Sequence, residues 1–183
     1  MLGALHKVPT LISTTTLSVG TDYAITAHIN STYDEYFFLM TDIHVSGDGA
    51  NFQWNASDDT SSHSYDIAKQ SAAWKIYIDE SSGEGMDTMT SSDLTSETGY
   101  QQLANSMGNG NDESGAGILQ IFKPADTTFY KRFTSVFHYY QSGDEATTLF
   151  VSGAIETASA VTAINFQAHS GNLQSGKIRM YGL

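Results

Sequence analysis

Hydrophobic side chains recur at every second position along most of this chain, and helical spacing is scarce. Tyr23, Ile25, Ala27 and Ile29 share one face of a predicted strand, and Phe52, Trp54 and Ala56 share another. Trp74, Ile76 and Ile78 alternate with Lys75 and Tyr77. Ile118, Gln120 and Phe122 alternate with Leu119 and Ile121, and Phe133, Ser135, Phe137 and Tyr139 with Thr134, Val136, His138 and Tyr140. Tyr36 to Thr41 is apolar on both faces, as a central strand would be. Leu149 to Val151, Ile164 to Ala168 and Lys177 to Tyr181 complete the set. Successive strand side chains point to opposite faces, so these segments predict about nine or ten strands divided by Gly, Asn, Asp and Ser clusters. Short strands with polar turns and no long helical pattern make an antiparallel sandwich or barrel. Pro9 and Pro124 both fall outside strand interiors, as their missing N–H requires.

At 183 residues the chain is the size of one large all-β domain and can bury a normal core. It has no cysteine, which excludes a disulfide framework and thiolate metal sites and suits folding in a reducing cytosol. Eight Lys and Arg stand against 20 Asp and Glu, a net charge of −12. Neutralising phosphates takes cationic side chains, so nucleic acid and anionic membrane surfaces are unsuitable partners. Only 15% of residues are charged, and 22 Ser and 20 Thr supply much of the polar surface. No apolar run reaches membrane-spanning length, and the first residues lack a signal-peptide core.

Two segments stand apart. Residues 1–19 read as an N-terminal arm, with Leu2, Leu5, Val8, Leu11 and Ile12 available to dock on a partner or cover a sheet edge, ahead of one domain spanning 20–183. From Ile76 to Phe122 there is no Lys or Arg, while Asp79, Glu80, Glu84, Asp87, Asp93, Glu97, Asp112 and Glu113 are present. Within it, Ser81 to Ser114 has little strand pattern outside Tyr100 to Leu103, and reads as a long acidic insertion.

Motifs that carry chemistry fall short. Gly171 to Lys177 has the spacing of a phosphate-binding loop, but Ile178 stands where the magnesium-binding hydroxyl belongs and a strand follows instead of a helix. Asn109, Asn111 and Glu113 alternate as in a calcium loop, yet the sixth-position glycine and twelfth-position acid are replaced by Ser114 and Gln120. His6, His28, His44, His63, His138 and His169 show no metal-ligand spacing within one element. Asp58 and Asp59 lie in a Ser/Thr-rich loop that they solvate. Trp54 and Trp74 sit in alternating strands, where core packing outweighs a sugar-stacking role. Asn30 and Asn55 begin glycosylation sequons that matter only in a secreted chain. The sequence thus assigns no catalytic, cofactor-binding or metal-ligating residue, and leaves the partner-binding residues open.

Three blocks carry a resemblance: Ser31-Thr32-Tyr33-Asp34-Glu35-Tyr36 with Ile43-His44; Gly115 to Pro124 with Thr127-Thr128-Phe129 and Lys131; and Ile164-Asn165-Phe166, Ser170-Gly171-Asn172 and Gly176 to Leu183. Across residues 20 to 183 their order resembles small jelly-roll virion proteins and fibre-tip domains of tailed phages, especially marine phages of cyanobacteria. The resemblance implies a jelly-roll-like β-sandwich on the outer surface of a virion, with no catalytic residues to carry over. It also implies partners among the other virion proteins (the major capsid protein or tail proteins), and a homotrimer. The short arm, with no coiled-coil repeat before the first strand, favours a non-enzymatic capsid decoration protein. A tail-associated protein that binds a host surface glycan is the alternative.

Overall fold

The computed structural model describes residues 8–183. Thirteen strands run β1 Thr10–Leu17, β2 Asp22–Ile25, β3 Glu35–Val45, β4 Ala50–Ser57, β5 Lys69–Asp79, β6 Glu84–Thr88, β7 Leu94–Glu97, β8 Gln101–Met107, β9 Gly115–Phe122, β10 Lys131–Gln141, β11 Glu145–Ile155, β12 Ala163–Ala168 and β13 Leu173–Gly182. The one helical element described is a 3-10 turn at Thr90–Ser92.

All pairings between strands are antiparallel, and they make two facing layers. The larger layer runs β1-β13-β3-β9-β10-β11-β5, with β6 and β7 both on the far edge of β5. The smaller runs β8-β4-β12-β2. The layers meet where Gln141 of β10 pairs with Met107 of β8, and again at the Gly20–Leu173 bridge. Eight strands divide between the layers in jelly-roll fashion: β1, β3, β9 and β13 face β2, β4, β8 and β12. Strands β5, β6, β7, β10 and β11 widen the larger layer.

Phe52, Trp54, Ala56 and Phe166 of the smaller layer meet Tyr36, Phe38, Phe133 and Phe137 of the larger, all at 1% exposure or less. Rings lock the layers together: Phe52 lies 5.4 Å from Phe137, Phe38 5.7 Å from Phe166, and Trp54 meets Phe133 edge-on at 5.1 Å. The Tyr36 hydroxyl donates to Asn30 O at 3.0 Å and accepts from Asn30 N at 3.2 Å, so the phenol closes the turn that feeds β3. Gly117 is required by close approach, because a Cβ there would run into Val136 O and the Phe137 backbone across the β9–β10 pair.

Three expectations change. The strands number thirteen, because β1, β6 and β7 are too short or too polar to show clear alternation. Ser81–Ser114 contains β6, β7 and β8, and β8 places Leu103, Ala104 and Met107 in the core. Its acids ride on strand edges and turns, with alternation masked by paired interior positions in β8. From Thr10 onward, the segment read as an arm is β1, paired along β13 from Thr10↔Gly182 to Leu17↔Gly176; Leu2 and Leu5 lie outside the described residues.

Candidate functional site

The inward side chains of the larger layer build the core, so their neighbours must face out. Most outward positions would be polar in an ordinary half-buried sheet. Here they are not. Register carries one apolar row across the strands: Leu39 of β3 beside Ile118 of β9, then Val136 of β10, Phe150 of β11 and Trp74 of β5. The next row along β5 aligns Ile76 with Thr148 and with Met86 of β6. Trp74 and Ile76 are 41% exposed, Ile118 43%, Ile78 51% and Met86 70%. Trp74 stacks flat on Phe150, with centroids 4.0 Å apart and planes at 5°.

Charge is nearly absent from this face. Between β3 and β5 its charged outward side chains are Glu35 and Arg132, which flank Phe122 in one row at the end of the strands, with Asp42 exposed at the bulge in β3. The Glu35 carboxylate accepts from Gln120 Nε2 at 2.7 Å. The remaining acids sit elsewhere in the chain. The face also changes shape along its width. Over β3, β9 and β10 it forms a shallow hollow of about 470 Å³, floored by Leu39, Gly117, Ile118 and Val136. Over β5 and β6, Ile76, Ile78 and Met86 stand proud. The hollow borders β13, whose outward Lys177 and Arg179 make a basic rim, with Arg179 donating to Thr41 Oγ1 at 3.3 Å. The knob end is bounded by Glu84, opposite Ile78, and by Glu80, whose carboxylate accepts from the Tyr140 hydroxyl at 3.0 Å.

The smaller layer presents a different outer surface, rich in amides. Asn165 pairs with Asn55, and Gln53 stands between Gln167 and Gln102. Asn165 Nδ2 donates to Asp22 Oδ1 at 3.0 Å, and the Tyr100 hydroxyl donates to Asn165 Oδ1 at 3.4 Å. Burial, then the charge of Asp22, then Tyr65 push the Tyr100 phenol up to about 12. Loops fold over one end of this layer because Asn55 anchors them: its Nδ2 donates to Tyr65 O at 2.6 Å and to Thr98 O at 2.9 Å. Lys69 Nζ reaches the other side of the same amide, donating to Asn55 Oδ1 at 2.5 Å and Ile67 O at 3.0 Å.

The residues weighed from sequence land as follows. Trp54 is core, fully buried, but Trp74 is not; its strand alternation is real, yet its face lies on the outside of the layer. Asn55 is fully buried and so cannot receive a glycan. In the loop that resembles a calcium site, Glu113 accepts from Gly110 N and Asn109 Nδ2 donates to Ser46 O at 3.1 Å, while His44 Nε2 bonds Gly110 O at 3.0 Å. The side chains therefore close a turn. Asp59 is held below the usual carboxylate range chiefly by Ser64, through its hydroxyl and then its N–H. The five described histidines stay apart: His138 lies on the outer face, bonded to Thr148 Oγ1 at 2.7 Å, and the His63 ring lies tilted beside Tyr65 with centroids 6.3 Å apart. His6 lies outside the described residues. Among the described residues no three His, Asp or Glu side chains gather as a metal site, and no helix is long and apolar enough to cross a membrane. Gly171 and Gly176, with φ of +70° and +124°, bend the backbone before and within β13, the strand expected there. The outer face is not legible in the sequence, because alternation alone does not say which side of a strand meets the core.

No family model, curated protein or solved structure matches this chain.

Proposed function

We propose that this chain is a non-enzymatic structural protein of a tailed-phage particle, most simply a decoration protein on the outer surface of the capsid. The observation that carries this reading is the apolar face of the larger layer, whose middle rows carry no acid. A chain of net charge −12 keeps its acids to the margins of one wide surface, and exposed apolar areas of this extent serve as assembly surfaces. The outer side of the smaller layer, where Gln53, Gln102 and Gln167 are half-exposed, and the abundant hydroxyls then face solvent. The partners on this reading are other virion proteins, the major capsid protein first. Antibody–gold against the chain tests it: label spread over the capsid is the expected result, and label confined to the tail overturns the decoration role.

One observation favours a second reading. The buried Asn165 amide holds the exposed Asp22 carboxylate and the half-buried Tyr100 phenol side by side on the smaller layer, and those two groups can hydrogen-bond sugar hydroxyls. A tail-associated protein that binds a host surface glycan would use them. Binding on a glycan array that Asn165→Ala abolishes is the result this reading requires.

A further inference from the structure

We infer that the apolar face of the larger layer pairs with the same face of a second copy of this chain. The inference rests on the reading of that face as an assembly surface and names what covers it. Its two ends are complementary to each other. One end is a hollow over Leu39 and Ile118 with Lys177 and Arg179 at its rim; the other is a set of knobs led by Ile76 and Met86 with Glu84 at its rim. Bringing the knob end of one copy to the hollow end of another fills the hollow and sets acid against base. The same contact made twice, or closed in a ring, satisfies every copy.

Charge and area both support identical partners. Two acidic chains repel, so a contact between them must exclude carboxylates, and the middle of this face does. The band crosses seven strands from β13 to β6, roughly 30 Å at the usual strand spacing. Its five most exposed apolar side chains leave roughly 500 Å² open, which approaches the ~800 Å² that each partner contributes to a stable complex once Phe37, Val136 and Phe150 are added. An edge-to-edge contact would not use these side chains at all.

Sedimentation velocity of the purified chain, with a far-UV circular dichroism spectrum of each variant, decides the matter. The wild-type chain is expected to sediment as a dimer or trimer at micromolar concentration. Ile76→Glu changes an exposed residue, so the spectrum should be unchanged while association weakens at least tenfold. Glu84→Lys alone, and Lys177→Glu with Arg179→Glu, should each weaken association, and the three together should restore it. Gln53→Glu, on the opposite surface, should leave it intact. A wild-type chain that stays monomeric, or an oligomer indifferent to Ile76→Glu, overturns the inference. A monomer that still coats particles would overturn self-pairing alone and leave the particle-surface reading standing.

Discussion

Lys69→Met separates the cost of burying an amine from the rest of the fold. Lys69 is fully buried at the end of β5, where it ties Asn55 and Ile67 together and so holds the loops that border the amide-rich surface. Burial draws the amine down from 10.5 to about 7, opposed by the charge of Asp66. Between those values the unfolded chain binds more protons than the folded one. Stability therefore rises with pH across the interval, and is lost as pH falls back through about 7. At 1.36 kcal/mol per unit the whole interval corresponds to on the order of 5 kcal/mol. Urea unfolding of both proteins at steps between about pH 6 and 10 measures it. The wild-type chain should gain several kcal/mol on Lys69→Met over that range. Tyr100 and Tyr139, each pushed up to about 12, act in the opposite sense above pH 10. They are common to both proteins and cancel in the difference. A difference that does not change with pH would refute the reasoning, because it would mean that Lys69 carries the same charge folded and unfolded.

Trp54→Phe should cost less than about 1 kcal/mol, because the indole Nε1 is buried without a partner and removing it offsets the lost contact. In that background Trp74 is the sole tryptophan, and acrylamide quenching of its emission should fall as protein concentration rises; quenching independent of concentration would contradict coverage of the face. Gly117→Val drives a side chain into the Val136 carbonyl and the Phe137 backbone, and a loss of about 3 kcal/mol or more is expected in urea unfolding. Asn165→Ala removes the bonds to Asp22 and Tyr100 and should cost about 1 kcal/mol, measured by thermal melting. If a glycan binds, the same change should abolish binding while Ile76→Glu retains it.

Alternation made the long strands legible. Residues of β3, β4, β5, β9, β10, β12 and β13 are recognisable as strands because each buries at least one face, leaving a period of two or a short apolar run. The short pieces were not. β6 has exposed or half-exposed residues at every position, and β7 is exposed beyond Leu94, so neither carries a hydrophobic period; only the backbone ladder to β5 makes them strands. The opposite failure hid the apolar outer face. Trp74, Ile76 and Ile78 have the same pattern as buried residues, and Lys75 and Tyr77 look like the solvent side. In the structure these roles are reversed: Lys75 is half-buried over the Tyr77 ring and paired with Glu145 at 3.4 Å. Which side of a strand is inside depends on strands far away in the chain, and alternation alone does not record them.

The central claim is that this protein works by docking through the outer face of its larger layer, and particles assembled with Ile76→Glu or Ile118→Glu in place of the native chain test it most directly. Gold label per particle should fall at least tenfold for both variants while Gln53→Glu labels like the wild-type chain. Equal labelling of all four would contradict the claim.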